Sequence, residues 1–146
     1  MTILNKDSNN QSSASLDLAF ESIDSCFGYV DYITVQIQKL LVNYNQGNDE
    51  AANDSFVEVI ELMDLYIQLV TRVYRVLRTD LQVMNFKDES IQKLEIHLLS
   101  VMKALLQAKE KNDTIMLCDL LEYELVDNLT QWKIKILPEL KKLKNY

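Results

Sequence analysis

The single histidine, His97, is the side chain in this chain of 146 residues that is best suited to chemistry at neutral pH. It lies in "EIHLLSVMK", and the residue three positions before it is Leu94. A helical di-iron site needs Glu-x-x-His pairs, so that kind of site is excluded. Some four-helix domains accept a phosphoryl group on a surface histidine, but a basic residue usually follows it closely. Here two leucines follow, and the next lysine is Lys103. We therefore interpret His97 as a surface or boundary residue of a helix.

The other reactive side chains form no recognisable motif. Cys26 and Cys118 lie far apart without metal-ligand spacing, and we interpret them as reduced, half-buried helix residues. Glu122 and Glu124 stand among apolar residues in "DLLEYELVD", as expected for an acidic edge that faces solvent or a partner. Two glycines cannot form a phosphate-binding loop, and no strained nucleophile turn is present. The sequence thus predicts no catalytic residue, no metal site and no cofactor.

Composition indicates which elements must position these residues. Apolar residues make up 48% of the chain, whereas glycine occurs twice and proline once. Folds rich in strands need many turns, and turns are built mainly from glycine and proline. We therefore expect a chain that is nearly all helix, with enough apolar side chains for one core.

Four stretches repeat apolar residues at steps of four and three, which is the pattern of an amphipathic helix. We expect helix 1 from the cap Ser15, helix 2 from about Glu50 to about Leu81, helix 3 after the cap Asp88, and helix 4 after Asn112 or Asp113. The core row predicted for helix 2 is Ala52, Phe56, Val59, Met63, Tyr66, Val70, Val73 and Leu77.

Short links between long helices favour antiparallel neighbours, so the predicted fold is an all-α, antiparallel four-helix bundle. Residues 15–146 would form this single domain, with room for a short extra segment at either end, and residues 1–14 a flexible polar arm. Gly47 is a natural helix C-cap, and Gly28 suggests a close helix crossing or a kink. Pro138 predicts a kink or an end near Leu137.

The charge balance restricts the partners. A net charge of −7 argues against binding to nucleic acid or to an anionic membrane, and suits a basic or neutral protein partner. No signal peptide and no run of about 20 apolar residues is visible, so we expect a cytoplasmic protein.

Helix 2 also carries a second apolar row, Ile60, Ile67, Tyr74 and Leu81, and tyrosines are frequent at the edges of the helix stripes. Tyrosine and methionine are favoured at binding surfaces, although a tyrosine at the boundary of the core is the commoner case. A homodimer interface is the alternative reason for the extra row. The candidate partner-binding residues are Ile60, Ile67, Tyr66, Tyr74, Met63 and Tyr32.

Over roughly residues 27–135 the chain resembles the flagellin export chaperone (FliS-like) family. The resemblance rests on the turn between helices 1 and 2, the turn between helices 3 and 4, and a tryptophan late in helix 4. Members have a Gly-Asp-like turn between their first two long helices, matched here by Gly47 and Asn48. A Leu-x-x-Ala helix end leads to a Lys-Asp-like turn, matched by Leu105 and Ala108 and then by "KND". A tryptophan lies late in the last helix, as Trp132 does here. The family often has Tyr-Asp-Gly in its first long helix, where this chain reads "YVDYI".

This resemblance implies a non-catalytic function. Such chaperones bind the disordered C-terminal region of flagellin in the cytoplasm, prevent its premature polymerisation and aid its export. By this likeness the partner would be a flagellin-like protein or peptide that becomes ordered on the bundle. A self-associating structural or adaptor bundle without a peptide ligand remains the alternative.

Overall fold

A computed structural model describes the backbone of residues 2–81 and 88–145 and the side chains of residues 14–81 and 89–145. Three long helices come first: α1 spans Thr2–Asn45, α2 spans Asp49–Leu81 and α3 spans Asp88–Glu110. The rest of the described chain, residues 114–145, forms one continuous helical run that we call α4. The described residues contain no strand, so the predicted all-α helical bundle is confirmed. The capping role predicted for the Asp88 side chain lies outside the described part.

The core row predicted for α2 is confirmed in full. All eight residues from Ala52 to Leu77 are buried, and the second row, Ile60, Ile67, Tyr74 and Leu81, packs half-buried against the core. Steps of four and three keep a row on one face of a helix, so a single side of α2 supplies this part of the core.

The buried face of α1 differs from the predicted one. The apolar steps of four and three in α1 predict a core row from Leu16 to Tyr44 that includes Thr34 and Leu41. In the structure Ile33 and Leu40 are buried instead, and Thr34 and Leu41 are half-buried. The reason is the position of α2, which contacts α1 more extensively than any other helix does. The side of α1 nearest to α2 is therefore covered. Ile33 belongs to that side, since it lines the same surface groove as Leu62 of α2.

Polar contacts join the helices in a consistent order. Asp24 and Asp31 of α1 pair with Lys141 and Lys133 of α4. Leu94 and His97 of α3 contact Asn128 and Glu124 of α4. In both helix pairs, a residue later in one helix contacts a residue earlier in the other, as expected for neighbouring helices that run in opposite directions.

Both turns singled out in the sequence close with the same hydrogen bonds. In the first, Asn48 donates its backbone N–H to Asn43 and Gly47 donates to Tyr44; in the second, Asp113 donates to Ala108 and Asn112 to Lys109. This is the Schellman motif, which needs a left-handed residue after the helix. Gly47 (φ 75°) and Asn112 (φ 55°) supply it. The Asp113 side chain then accepts from the backbone N–H of Met116 at 3.0 Å and caps α4.

We expect the same substitution to have opposite effects at the two glycines. Gly47→Ala should lower the free energy of unfolding by about 1 kcal/mol, because alanine is strained at positive φ. Gly28→Ala should raise it by up to about 1 kcal/mol, because Gly28 lies inside a helix and a Cβ there would meet no atom within 4 Å. That open space also corrects the suggestion of a close crossing at Gly28. Urea unfolding followed by circular dichroism measures both; the same sign for both variants would contradict the argument.

α4 contains two wide π turns, at Leu120–Leu125 and Trp132–Ile136, between α-helical segments Thr114–Asp119, Val126–Gln131 and Leu137–Lys142. The last turn, Leu143–Asn145, is 3₁₀. The end predicted near Leu137 is not observed, since the helix continues through Pro138. Proline lacks an N–H and its ring crowds the preceding turn, so the wide turn before it provides the space for the helix to continue.

At the other end of the chain, α1 begins at Thr2 and not at Ser15. A helix that is already nucleated extends at little further cost, so a polar segment can continue it. The flexibility of residues 1–14 and the domain boundary at residue 15 stay predictions. None of the helices in the described part combines the length and apolar character needed to cross a bilayer.

Candidate functional site

The main candidate is an open apolar groove between α1 and α2, with a volume of about 250 Å³. We call it the α1–α2 groove. Helix α1 contributes one side and α2 the other, because residues three and four apart lie on the same face of a helix. Its lining consists of Tyr29, Tyr32, Ile33, Leu62, Leu65, Tyr66 and Leu69.

The groove leaves large apolar side chains in contact with solvent. Leu65 is 63% exposed, and Tyr29 and Tyr32 are each about half exposed, at 48% and 49%. Single exposed apolar residues are common, but a cluster that lines a concave surface is typical of a binding site. Tyrosine suits such a site because its ring offers apolar area while its hydroxyl remains hydrated.

The polar edge of the groove begins at Glu58. The Tyr32 hydroxyl donates to the Glu58 carboxylate at 3.5 Å, which joins the two helices across the groove. Glu61 lies four residues before Leu65 and is exposed, so it shares that face of α2. Carboxylates therefore flank the apolar lining on the α2 side.

A second, smaller cavity of about 70 Å³ lies between α2 and α3, and we call it the α2–α3 pocket. Its walls include Ile67, Leu98 and Leu99, together with Glu95, whose pKa is raised by burial. Tyr66 and Trp132 also line it, and their rings meet edge to face with centroids 6.3 Å apart. Tyr66 belongs to both linings, so the pocket and the α1–α2 groove are neighbours.

Only part of the predicted binding set lies at the surface. Tyr32 is exposed at the groove, whereas Ile60, Ile67 and Tyr74 are half-buried. Met63 is fully buried and Tyr66 is 2% exposed, which places both in the core. Both belong to the α2 row that faces the centre of the bundle. The structure therefore does not place Met63 at a binding surface, and Tyr66 lines the groove as a buried residue. Tyr29, Leu65 and Leu69 were missed, although Leu65 and Leu69 stand four residues apart, as one face of a helix requires.

His97 belongs to a polar cluster between α3 and α4 that the sequence did not reveal. The Asn128 amide nitrogen donates to the Leu94 carbonyl at 3.1 Å and to His97 Nδ1 at 2.9 Å. Nδ1 must then accept, so the ring proton is on Nε2 and donates to Glu124 at 3.0 Å. Asn128 is the one buried polar residue in the described part. The cluster ties α3 to α4, and its histidine has both ring nitrogens engaged.

A polar pocket of about 260 Å³ lies where the two turns meet, lined by Tyr44, Asp49, Asn53, Lys109 and Asp113 among others. Burial, with smaller contributions from Cys118 and Asp49, raises the pKa of the Tyr44 hydroxyl. Lys109 donates to the Asn53 side chain across it. Within residues 14–81 and 89–145 no group of three or more metal-ligating side chains occurs.

The two cysteines are both free thiols. Cys26 is fully buried, and burial raises its pKa to about 11, which disfavours the nucleophilic thiolate. Cys118 is half-buried and lies near Tyr44, whose pKa it helps to raise. Residues 26 and 44 are about 27 Å apart along α1, at the rise of an α-helix. The two thiols therefore lie too far apart for a disulfide.

Comparison with known proteins gives a family but no activity. The model of a domain of unknown function, DUF8042, matches residues 21–135. No curated protein matches the chain, and no solved structure does. The matched range begins within α1, includes both turns and the groove, and ends just before Pro138, so it covers most of the bundle. The chain belongs to the DUF8042 family.

Proposed function

We propose that the chain is a non-catalytic helical binding module that holds an amphipathic peptide helix in the α1–α2 groove. The observation that carries the proposal is the cluster of exposed Leu65, Tyr29 and Tyr32 on a concave surface between two packed helices. A partner helix would lay its apolar face into this groove and bury those side chains, as in other helix-in-groove complexes.

The specific form of the proposal is a cytoplasmic flagellar export chaperone. Its support is the resemblance to the FliS-like family, carried by the two helix-ending turns and by Trp132. The ligand would be the disordered C-terminal region of a flagellin-like protein, kept from polymerising until export. A disordered ligand loses conformational entropy when it becomes ordered, so a groove that exposes large side chains is needed to offset that loss.

Calorimetry with a flagellin C-terminal peptide tests this proposal. We expect binding to the native chain and a loss of at least about tenfold in affinity for Leu65→Asp, since a charge would then face the partner's apolar side chains. The matched control is Val57→Asp, because Val57 is also on α2, is 55% exposed and does not line the groove. This control should bind normally. An absence of binding at about 100 µM would reject the flagellin partner, and equal effects of both variants would reject the groove.

A self-associating bundle is the second candidate, and it is favoured by a different surface. Ile96, Leu99 and Leu106 of α3 are more than half exposed and lie on one side of that helix. The second α2 row, which first suggested a dimer, packs half-buried against the core of the chain itself, so α3 is now the surface to test. Sedimentation velocity of the native chain and of Leu106→Glu over a range of concentrations separates the two: a monomer throughout excludes self-association.

A further inference from the structure

The negative charge of the chain is concentrated in the two helices that form the α1–α2 groove. Between Ala14 and Thr71 there are ten carboxylates and one lysine, Lys39, so this part carries a formal charge of −9. The chain as a whole carries −7, so the remainder is slightly basic. All ten carboxylates are exposed. The α1–α2 hairpin therefore has a strong negative field, whereas the α3 and α4 side of the bundle does not.

Part of that charge is already neutralised by α4. Asp24 and Asp31 pair with Lys141 and Lys133, on the side of α1 that faces away from the groove. Glu58 and Glu61, in contrast, form no ion pair with any residue in the described part of the chain. Glu58 contacts Tyr32 in the lining, and Glu61 shares a helix face with Leu65. The unneutralised carboxylates thus stand next to the apolar lining.

One arginine, Arg72, lies on α2 just beyond the other end of the groove lining. Arg72 follows Leu69 by three residues, and Arg75 and Arg78 continue along α2. The carboxylates at positions 49–64 and these arginines occupy the two ends of the same helix. A ligand in the groove therefore meets carboxylates at Glu58 and Glu61 and one arginine, Arg72, beyond Leu69.

We propose that the ligand of the α1–α2 groove is a basic amphipathic helix, with lysine or arginine beside its apolar face and over Glu58 and Glu61. The inference rests on the function proposed above, because it takes the groove as a peptide site and adds the charge of the peptide. Apolar contacts would supply most of the affinity, and the carboxylates would select the partner and accelerate its association.

Three synthetic peptides of about 18 residues, or five helical turns, test the inference. They share one leucine-rich face and carry lysine, glutamine or glutamate at the flanking positions. Fluorescence anisotropy with the full chain should show the lysine peptide binding about tenfold more tightly than the glutamine peptide in low salt. That advantage should shrink severalfold at high ionic strength, where exposed charges are screened. The glutamate peptide should bind most weakly.

The double variant Glu58→Gln/Glu61→Gln tests whether these two carboxylates cause the tighter binding of the lysine peptide. It should reduce the lysine peptide's advantage severalfold and leave affinity for the glutamine peptide unchanged. The matched control is Glu110→Gln/Glu122→Gln, which removes the same charge from exposed positions on α3 and α4 and should change little. Equal reductions in both variants would overturn the assignment to Glu58 and Glu61. Equal binding of all three peptides would overturn the charge inference but leave the binding module intact, whereas no binding of any peptide would overturn the binding module itself.

Discussion

Trp132→Ala is expected to lower the free energy of unfolding by about 3–5 kcal/mol, which is a large share of the stability of an ordinary domain. Trp132 is only 1% exposed and contacts the ring of Tyr66 edge to face. Truncation removes its apolar surface from the core, breaks the aromatic contact and leaves a cavity between α2 and α4. Urea unfolding followed by far-ultraviolet circular dichroism measures the loss.

Trp132→Phe separates packing from hydrogen bonding in the same experiment. The indole N–H has no hydrogen-bond partner in the described part of the chain, so phenylalanine gives up no bond and loses only part of the ring volume. We expect a loss of about 1–2 kcal/mol, less than half that of alanine. Equal losses for the two variants would contradict the packing argument and would mean that the indole N–H contributes a bond.

Asn128→Asp is expected to destabilise the chain by about 3–5 kcal/mol at neutral pH, because it buries a negative charge against the Leu94 carbonyl without changing the side-chain shape. Asn128 is 1% exposed, and its amide nitrogen donates to the Leu94 carbonyl and to His97 Nδ1. A carboxylate oxygen in that position would face the Leu94 carbonyl, which can only accept, and could bond to His97 only after a proton had moved to Nδ1. Asn128→Leu is the matched control: it removes both hydrogen bonds without adding charge, and should lose about 1–2 kcal/mol.

The Asn128→Asp penalty should depend on pH. Burial favours the neutral form, so the pKa of the introduced carboxyl group is higher in the folded chain than its unfolded value of about 3.9. Below that value both states are protonated and the charge penalty is absent. The penalty grows as the pH rises above about 4 and is complete above the folded pKa. Unfolding measured at several pH values should show this trend relative to Asn128→Leu; a penalty that does not change with pH would reject the buried charge as its cause.

The regular helices were predictable from the sequence because each carries its own signal. The α2 row is buried in full, since strict steps of four and three identify a face without reference to any neighbour. The turns were also predictable, because Gly47 and the Asn112–Asp113 pair have local conformational reasons for their positions. The exact buried side of α1 was not, because it depends on where α2 lies.

The spacing of the core residues in the sequence of α4 indicates the first of its π turns. The core residues Leu117, Leu121, Leu125 and Leu129 follow one another at three successive steps of four. In a regular α-helix such steps rotate the row by about 120°, which would carry it out of the core. A wider turn holds more residues per turn, so the π turn at Leu120–Leu125 keeps the row on one side.

The candidate site was harder to predict than the fold. Two helices form the groove, and the sequence does not state which residues of α1 will face which residues of α2. Tyr32 was identified because it is an aromatic residue at a stripe edge, but Tyr29 and Leu65 become neighbours only through packing. Asn128 was missed for the same reason, since its partners, Leu94 and His97, are more than 30 residues away in the chain.

Tyr66 forms a wall of the α1–α2 groove and also meets Trp132. Trp132 is the only tryptophan in the chain, so it dominates the ultraviolet emission of the protein. An occupant of the groove would lie against Tyr66, whose ring contacts that indole edge to face. The protein thus carries its own optical reporter one aromatic ring away from the groove, and occupancy can be followed on the unlabelled chain.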